Sequence, residues 1–522
     1  MSKKKYYKEF KKEEEEIKLK KNTKTFKKIS IVFIIIFAIG LVSKQLQNDT
    51  FYTIKIGELI FKNGIDMLDH FSWHVNLPYT YPHWLYDCFI YLIYSWFGYW
   101  GLYISSILLL FILILLIFRI NVKITKNYLV SSFATFICAL SIGGFATARA
   151  QLVSFILFAA EIYFIECFLA NGGRKNLIGL LFISLLLCNV HVAVWPFYYI
   201  IFMPYFAEYL FCLLENKFKF NSKFFNFLKK KIVLEKNDRI KYLFGIMLLS
   251  LLTGLLTPIG DTPYTYLIKT MLGNSQKYIQ EHQMISWFES PFTIIIAGET
   301  LFLSIFSKIK LRDLFMILGL SVMSIFSIRH ISLLALIGTV CFARVFTMFL
   351  ENYNFNIDDK IMTFVSKKMV CIGFFLVAIV FSTGMLIYQS KKEFVEEEMY
   401  PIGAVKYIKE NIDISKMRIY NDYNFGSYLV LNDIPVFIDS RADLYTKQFS
   451  GLEYDIFDDY MYMASDFRDK FNFYGITHVL IYKKDNAIYD AIISDGAYKL
   501  LYDDDYFALF HKIGDSINLV IE

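Results

Sequence analysis

The chain has 522 residues, of which 56% are hydrophobic and 18% aromatic. Its apolar runs recur at lengths near the roughly 20 residues that cross a bilayer, which excludes a soluble globule and reads as a multi-pass membrane protein. The formal net charge of +6 matters less than its placement, because orientation follows Lys and Arg in short cytoplasmic loops.

The first 28 residues form a mixed-charge, Lys-rich tail expected in the cytoplasm, where Glu13 to Glu16 weaken any contact with anionic lipid. The next run, ISIVFIIIFAIGLVSKQ, lacks a small-residue cleavage site and reads as a retained anchor in the plasma membrane. Directly after it, NDTFYTIKIGELIFKNGIDMLDHFSWH places four carboxylates and two histidines beside the bilayer. Within that stretch TFYTIKIGELIFKNG is expected to be a surface helix starting at Thr50, with Tyr52, Ile56, Leu59 and Ile60 on one face and Gly64 as its stop.

Further apolar segments lie at about 84–97, 101–119, 129–147, 152–170, 176–190, 193–214, 241–258, 292–307, 313–328, 331–350 and 369–388. If all of them span, the basic loop 215–241, together with Arg119, Lys123, Lys126, Arg174 and Lys175, faces outward, against the positive-inside rule. A single change repairs every loop. The segment HWLYDCFIYLIYSWFG, with only about 14 apolar residues, lies along the outer surface as a second surface helix. Eleven spans then remain, and the fold expected is an α-helical polytopic membrane domain over 29–390.

With that parity one set of helix ends faces outward together. It carries Asp49, Asp66, Asp69, His70, His74, His83 and Asp87, then Arg149 with Gln151, Asn189 with His191, Asp261, Glu281, His282 and Glu289, and Arg329 with His330. Ionisable groups are expensive at membrane depth, so several helix ends offering them to one side point to a shared polar cavity.

After the last span, residues 391–522 change rhythm. MRIYND, PVFID, THVLIY and YFALFHK are short strand-like runs separated by helical stretches, which predicts a small α/β domain outside the membrane and able to fold alone. Asn421, Asp422, Asp439, Arg441 and Asp443 follow predicted strands, where α/β folds often place ligands, although a purely structural Arg–Asp pairing explains them equally well.

Several chemistries find no signal. There is no P-loop, dinucleotide glycine fingerprint, HExxH or nucleophile elbow. The seven cysteines sit in apolar stretches without disulfide or zinc spacing, and the basic segments lack the aromatic platforms of nucleic-acid binders.

The first outer loop, continuing into PHWLYDCFIYLIYSWFGYWGL, resembles that of the C-type (GT-C) glycosyltransferases: an Asp just after the first helix, two surface helices and an aromatic-rich approach to the second span. ATARAQLVSF, NVHVAVWP and SIRHISLLA are similar to later segments of uncharacterised bacterial members. The resemblance implies a sugar donor on a polyprenyl phosphate carrier at the outer leaflet and an unidentified envelope acceptor, with membrane lipids as further partners and no nucleic acid. A lipid phosphate leaves as a stable anion and needs cations more than a proton, so one carboxylate base suffices.

On this resemblance Asp49 is the base, and Arg149, His191, Arg329 and His330 are the phosphate ligands; Asp69, His83, Gln151 and Asn189 complete the candidate binding set. No cofactor is implied with certainty, and a divalent cation on Asp49 or Asp69 stays open because the spacing supplies no ligand set. Two other classes compete: a transporter or lipid-binding protein with an outer anionic-headgroup cavity, and a noncatalytic membrane scaffold. The plain rival for Asp49 is an N-cap.

Overall fold

The computed structural model describes residues 3–217, 231–273, 275–278, 291–353, 357–365, 367–484 and 486–514. Glu281, His282, Glu289 and residues 218–230 of the basic loop lie outside the described residues.

Each of the apolar runs assigned to a span is helical: α1 (Lys3–Ile39), α3 (Trp84–Thr125), α4 (Tyr128–Ile142), α5 (Ala150–Asn171), α6 (Arg174–Val190), α7 (Trp195–Lys217), α8 (Ile240–Ser250), α10 (Pro291–Phe306), α11 (Leu311–Phe326), α12 (Ile331–Asn352) and α13 (Lys368–Ser390). Between them lie α2 (Asn48–Asn63) and α9 (Thr262–Leu272). Among the described residues, 6 helices are long and apolar enough to cross a membrane, by length and composition; Ile240–Leu255 and Thr293–Phe306 are shorter apolar helices. The chain is thus a polytopic helical membrane protein. Eleven spans remain a proposal resting on charge parity.

The joint between the second surface segment and the following span is at Gly98. Its φ of 59° and ψ of −154° break α3 into an arm before it and a long apolar helix after it. Only glycine enters that region without strain. Trp96 and Trp100 are exposed around the bend, the amphipathic aromatics favoured at a membrane interface. Helix α2 starts at Asn48, two residues before the expected Thr50, and ends at Gly64 with φ 82°.

α2 is more enclosed than a surface helix. One face lies on the α3 arm so closely that a Cβ on Gly57 would stand 2.2 Å from the carbonyl oxygen of Asp87. The other face carries Phe51, fully buried, between Tyr400 at 5.0 Å and Tyr428 at 5.4 Å from the C-terminal region. The second face is buried by residues about 350 positions away, which no local period reports.

The C-terminal region contains α14 (Ile402–Asn411), α15 (Tyr423–Leu431) and a four-stranded sheet of order β1 (Ile419–Asn421), β2 (His478–Tyr482), β4 (Phe507–Lys512), β3 (Tyr498–Asp503). β1 and β2 are parallel, and the other pairs antiparallel. This is the expected α/β domain with one exchange. PVFID is not a strand of the sheet: the Val436 amide donates to the Phe71 carbonyl at 3.1 Å, and the Trp73 amide donates to Val436 at 3.2 Å. The loop after α2 therefore takes its backbone groups, and β3, which follows no clean alternation, takes the fourth place.

The Trp73 indole donates to the Ile419 carbonyl at 2.9 Å, and one apolar cluster runs continuously from α2 through residues 71–81 into the sheet. The C-terminal domain thus shares part of its apolar core with residues 71–81.

Candidate active site at the helix ends around Asp49

Asp49 stands in the first turn of α2, where its carboxylate accepts a charge-assisted hydrogen bond from Arg149. The cap position belongs to Gln47, which makes no side-chain cap bond. Asp49 is therefore not the N-cap of its helix; its carboxylate is held by the arginine that precedes α5. The Thr50 hydroxyl ties the same turn to the Ala148 carbonyl at 3.2 Å, so the two chain segments are fixed side by side.

The C-terminal domain fixes the orientation of α2. The Asn48 amide donates to the Tyr423 carbonyl at 2.9 Å, and Lys55 pairs with Asp433 at 2.6 Å.

Beside this pair sit two imidazoles. The rings of His83 and His191 meet edge to face at 5.0 Å, and Tyr52 lies 6.5 Å from His83. His191 Nδ1 shares a hydrogen bond of 2.9 Å with the Ser154 hydroxyl on α5. Burial and the positive fields of Arg149 and Arg329 push His83 down to about 3. Burial, His83 and both arginines likewise hold His191 well below the usual range. Both rings are thus neutral hydrogen-bonding groups at neutral pH. Tyr52 is kept protonated, first by burial and then by the carboxylates of Asp49 and Asp87. The result is a site with one carboxylate, two guanidinium charges and several neutral donors, drawn from α2, α3, α5, α6 and the start of α12.

No family model matches the chain, and no curated protein matches it by sequence. Solved structures do match by shape. The fold is similar to that of the archaeal oligosaccharyltransferase AglB from Archaeoglobus fulgidus in complex with an inhibitory peptide and a dolichol-phosphate, with TM-score 0.58 and 9% identity over 92% of this chain and 73% of that one. It is similar also to ArnT from Cupriavidus metallidurans bound to undecaprenyl phosphate, with TM-score 0.54 and 10% identity over 93% of this chain and 98% of that one. The chain has the fold of the GT-C membrane glycosyltransferases.

Within this GT-C fold the remaining candidates divide. Gln151 reaches the Ser332 hydroxyl at 3.4 Å, and that hydroxyl donates to the Arg329 carbonyl at 3.1 Å, joining the starts of α5 and α12. Arg329 itself is exposed, and its charge reaches both imidazoles. Asn189 is buried and internally committed: it donates to the Leu185 and Leu256 carbonyls and accepts the Trp84 indole at 3.0 Å, which seats the residue next to His83. His330 turns to the Met323 carbonyl at 3.1 Å and to the Phe197 ring.

Asp69 has a different partner. Its Oδ1 accepts from Arg441 at 2.6 Å and its Oδ2 from the Ser72 amide and hydroxyl. Arg441 also spans both oxygens of Asp439. Among the described residues no three His, Cys, Asp or Glu side chains are grouped to hold a metal ion; Asp49 and Asp69, the two carboxylates considered for one, each hold an arginine.

In the sequence Ser154 and Tyr266 carry no assigned role, and Tyr52 only a place on a helix face. Tyr266 on α9 donates to Asp443 at 2.6 Å. The signal for Ser154 was present in helical spacing, since it lies one turn beyond Gln151 on α5; none existed for Tyr266, whose partner is in another domain.

Proposed function

We propose that the protein transfers a sugar from a polyprenyl phosphate carrier to an envelope acceptor at the outer leaflet, with Asp49 as the base. The observation that carries this reading is the Asp49–Arg149 ion pair in the first turn of α2. AglB and ArnT were solved with dolichol-phosphate and undecaprenyl phosphate respectively, which supports a lipid phosphate as the anion involved here.

A lipid phosphate arriving at Arg149 competes with Asp49 for the guanidinium. As the arginine turns to the phosphate, Asp49 loses its cationic partner and becomes more basic. The acceptor O–H loses its proton to Asp49 while its oxygen bonds to the anomeric carbon. The bond from that carbon to the phosphate oxygen breaks, and Arg149 and Arg329 stabilise the polyprenyl phosphate anion that leaves. His83, His191 and Tyr52, all neutral, orient hydroxyls without adding charge.

The test is release of polyprenyl phosphate from purified protein supplied with radiolabelled polyprenyl-phosphate sugars and delipidated envelope material. Label moving into the envelope fraction supports transfer. Binding of carrier without release across the donor series contradicts it and favours a lipid-binding role.

A further inference from the structure

The helices that carry the site also carry a second polar centre at their other ends. Arg149 and Glu166 bracket most of α5, and Ser332 and Glu351 most of α12, separations of about 25–30 Å at 1.5 Å per residue. That distance matches a hydrocarbon core. At this far end a cavity of about 340 Å³ is lined by Lys123 and Lys126, Glu166, Arg312, Arg344 and Glu351.

Its floor is a closed ion network. Arg344 donates to Glu166 at 2.7 Å and to Asp313, and Arg312 reaches Glu208 at 3.1 Å and Glu235 at 3.3 Å. Lys310 also pairs with Glu235. Four carboxylates thus face two arginines and a lysine, and the floor has no spare positive charge. The wall does. Lys123 and Lys126 form no ion pair among the described residues, and neither does Glu351 on α12. Lys126 occupies the left-handed cap of α3 with φ 56°, a position where glycine or asparagine is favoured.

A cavity with two ammonium groups and one carboxylate unpaired among the described residues, over a floor without spare positive charge, matches a ligand with both charges. We propose that it seats the headgroup of a zwitterionic phospholipid bearing a primary ammonium, drawn from the leaflet opposite the Asp49 site. The phosphate lies on Lys123 and Lys126, and the ammonium on Glu351. Snorkelling lysines alone attract any anionic lipid, so headgroup preference separates the two cases.

The experiment uses full-length, lipid-stripped protein in detergent, with thermal stability followed against added phosphatidylethanolamine, phosphatidylglycerol, phosphatidylcholine or soluble phosphoethanolamine. Phosphatidylethanolamine should give the largest upward shift. Lys123→Ala with Lys126→Ala should weaken its apparent affinity about tenfold or more, and Glu351→Gln should erase its advantage over phosphatidylglycerol. Each variant is referenced to its own lipid-free melting, so a loss of intrinsic stability is read separately. Equal shifts from phosphatidylglycerol and phosphatidylethanolamine, or a full shift in the double variant, would overturn the proposal. A full shift from soluble phosphoethanolamine would overturn the lipid as occupant.

Discussion

Arg441 bridges both oxygens of Asp439 and extends a further bond of 2.6 Å to Asp69, 372 positions earlier in the chain. All three side chains are buried, and the guanidinium also stacks 5.0 Å from the Tyr79 ring and 5.3 Å from Phe71. Removing the cation strands two buried carboxylates. Arg441→Met should therefore destabilise the junction by about 3–5 kcal/mol, seen as a lower melting temperature and faster proteolysis near residue 395. An unchanged melt would show that the triad contributes little.

A fragment of residues 391–522 should lack a cooperative melt, because Phe71, Trp73 and the 66–81 segment that close its core are missing. Adding a peptide covering 64–82 should restore part of the transition. A sharp melt from the fragment alone would show that the sheet and its helices suffice.

The junction should also be acid-sensitive. His74 donates to the Phe437 carbonyl at 2.8 Å, and burial pushes its pKa down to about 4 from 6.5. Burial and the adjacent His511 likewise lower His478 to about 4. From pH 6.5 down to 4 the unfolded chain binds these protons and the native chain does not, so stability falls as pH falls. Asp422 works in the opposite sense: burial raises it to about 6 from 3.8, so its contribution is complete below 3.8 and lost as pH rises through 6. Two histidines against one aspartate leave a net loss on acidification. Melting temperatures from pH 7 to 4.5 should decline, and His74→Gln should reduce the slope by about one proton.

Gly57 and Gly98 test two different uses of glycine. At Gly57 an added Cβ meets Asp87 backbone at 2.2 Å, so Gly57→Ala should cost about 1–3 kcal/mol by overpacking and, by moving α2, lower transfer as well. At Gly98 nothing lies within 4 Å, and Gly98→Ala should cost a similar 1–3 kcal/mol through backbone strain alone. Equal transfer by both variants at equal folded amounts would sever α2 placement from activity.

How much of this was legible in the sequence follows from the range of the interactions. Apolar length located the helices, and the Gly98 bend falls where a short aromatic arm meets a longer apolar run. Helix-end pairs such as Arg149 with Gln151 and Asn189 with His191 were found because each is local. What each partner holds was not. Asp49 with Arg149, Asp69 with Arg441, and Tyr266 with Asp443 are all set by tertiary packing, and neither helical nor strand periodicity encodes them. That is also why Asp69 and Asn189 read alike with the other polar candidates, although both are committed to internal partners.

The central claim is that Asp49 is the base, and Asp49→Asn tests it most directly. Gln47 holds the cap position, so the substitution leaves the helix start intact, and an amide oxygen can still accept from Arg149. Sugar transfer is compared for wild type and variant at equal folded amounts, over the same polyprenyl-phosphate donors. The expected result is a folded protein with transfer reduced roughly 10²-fold or more; near-normal transfer by the variant would contradict the assignment and remove Asp49 from the chemistry.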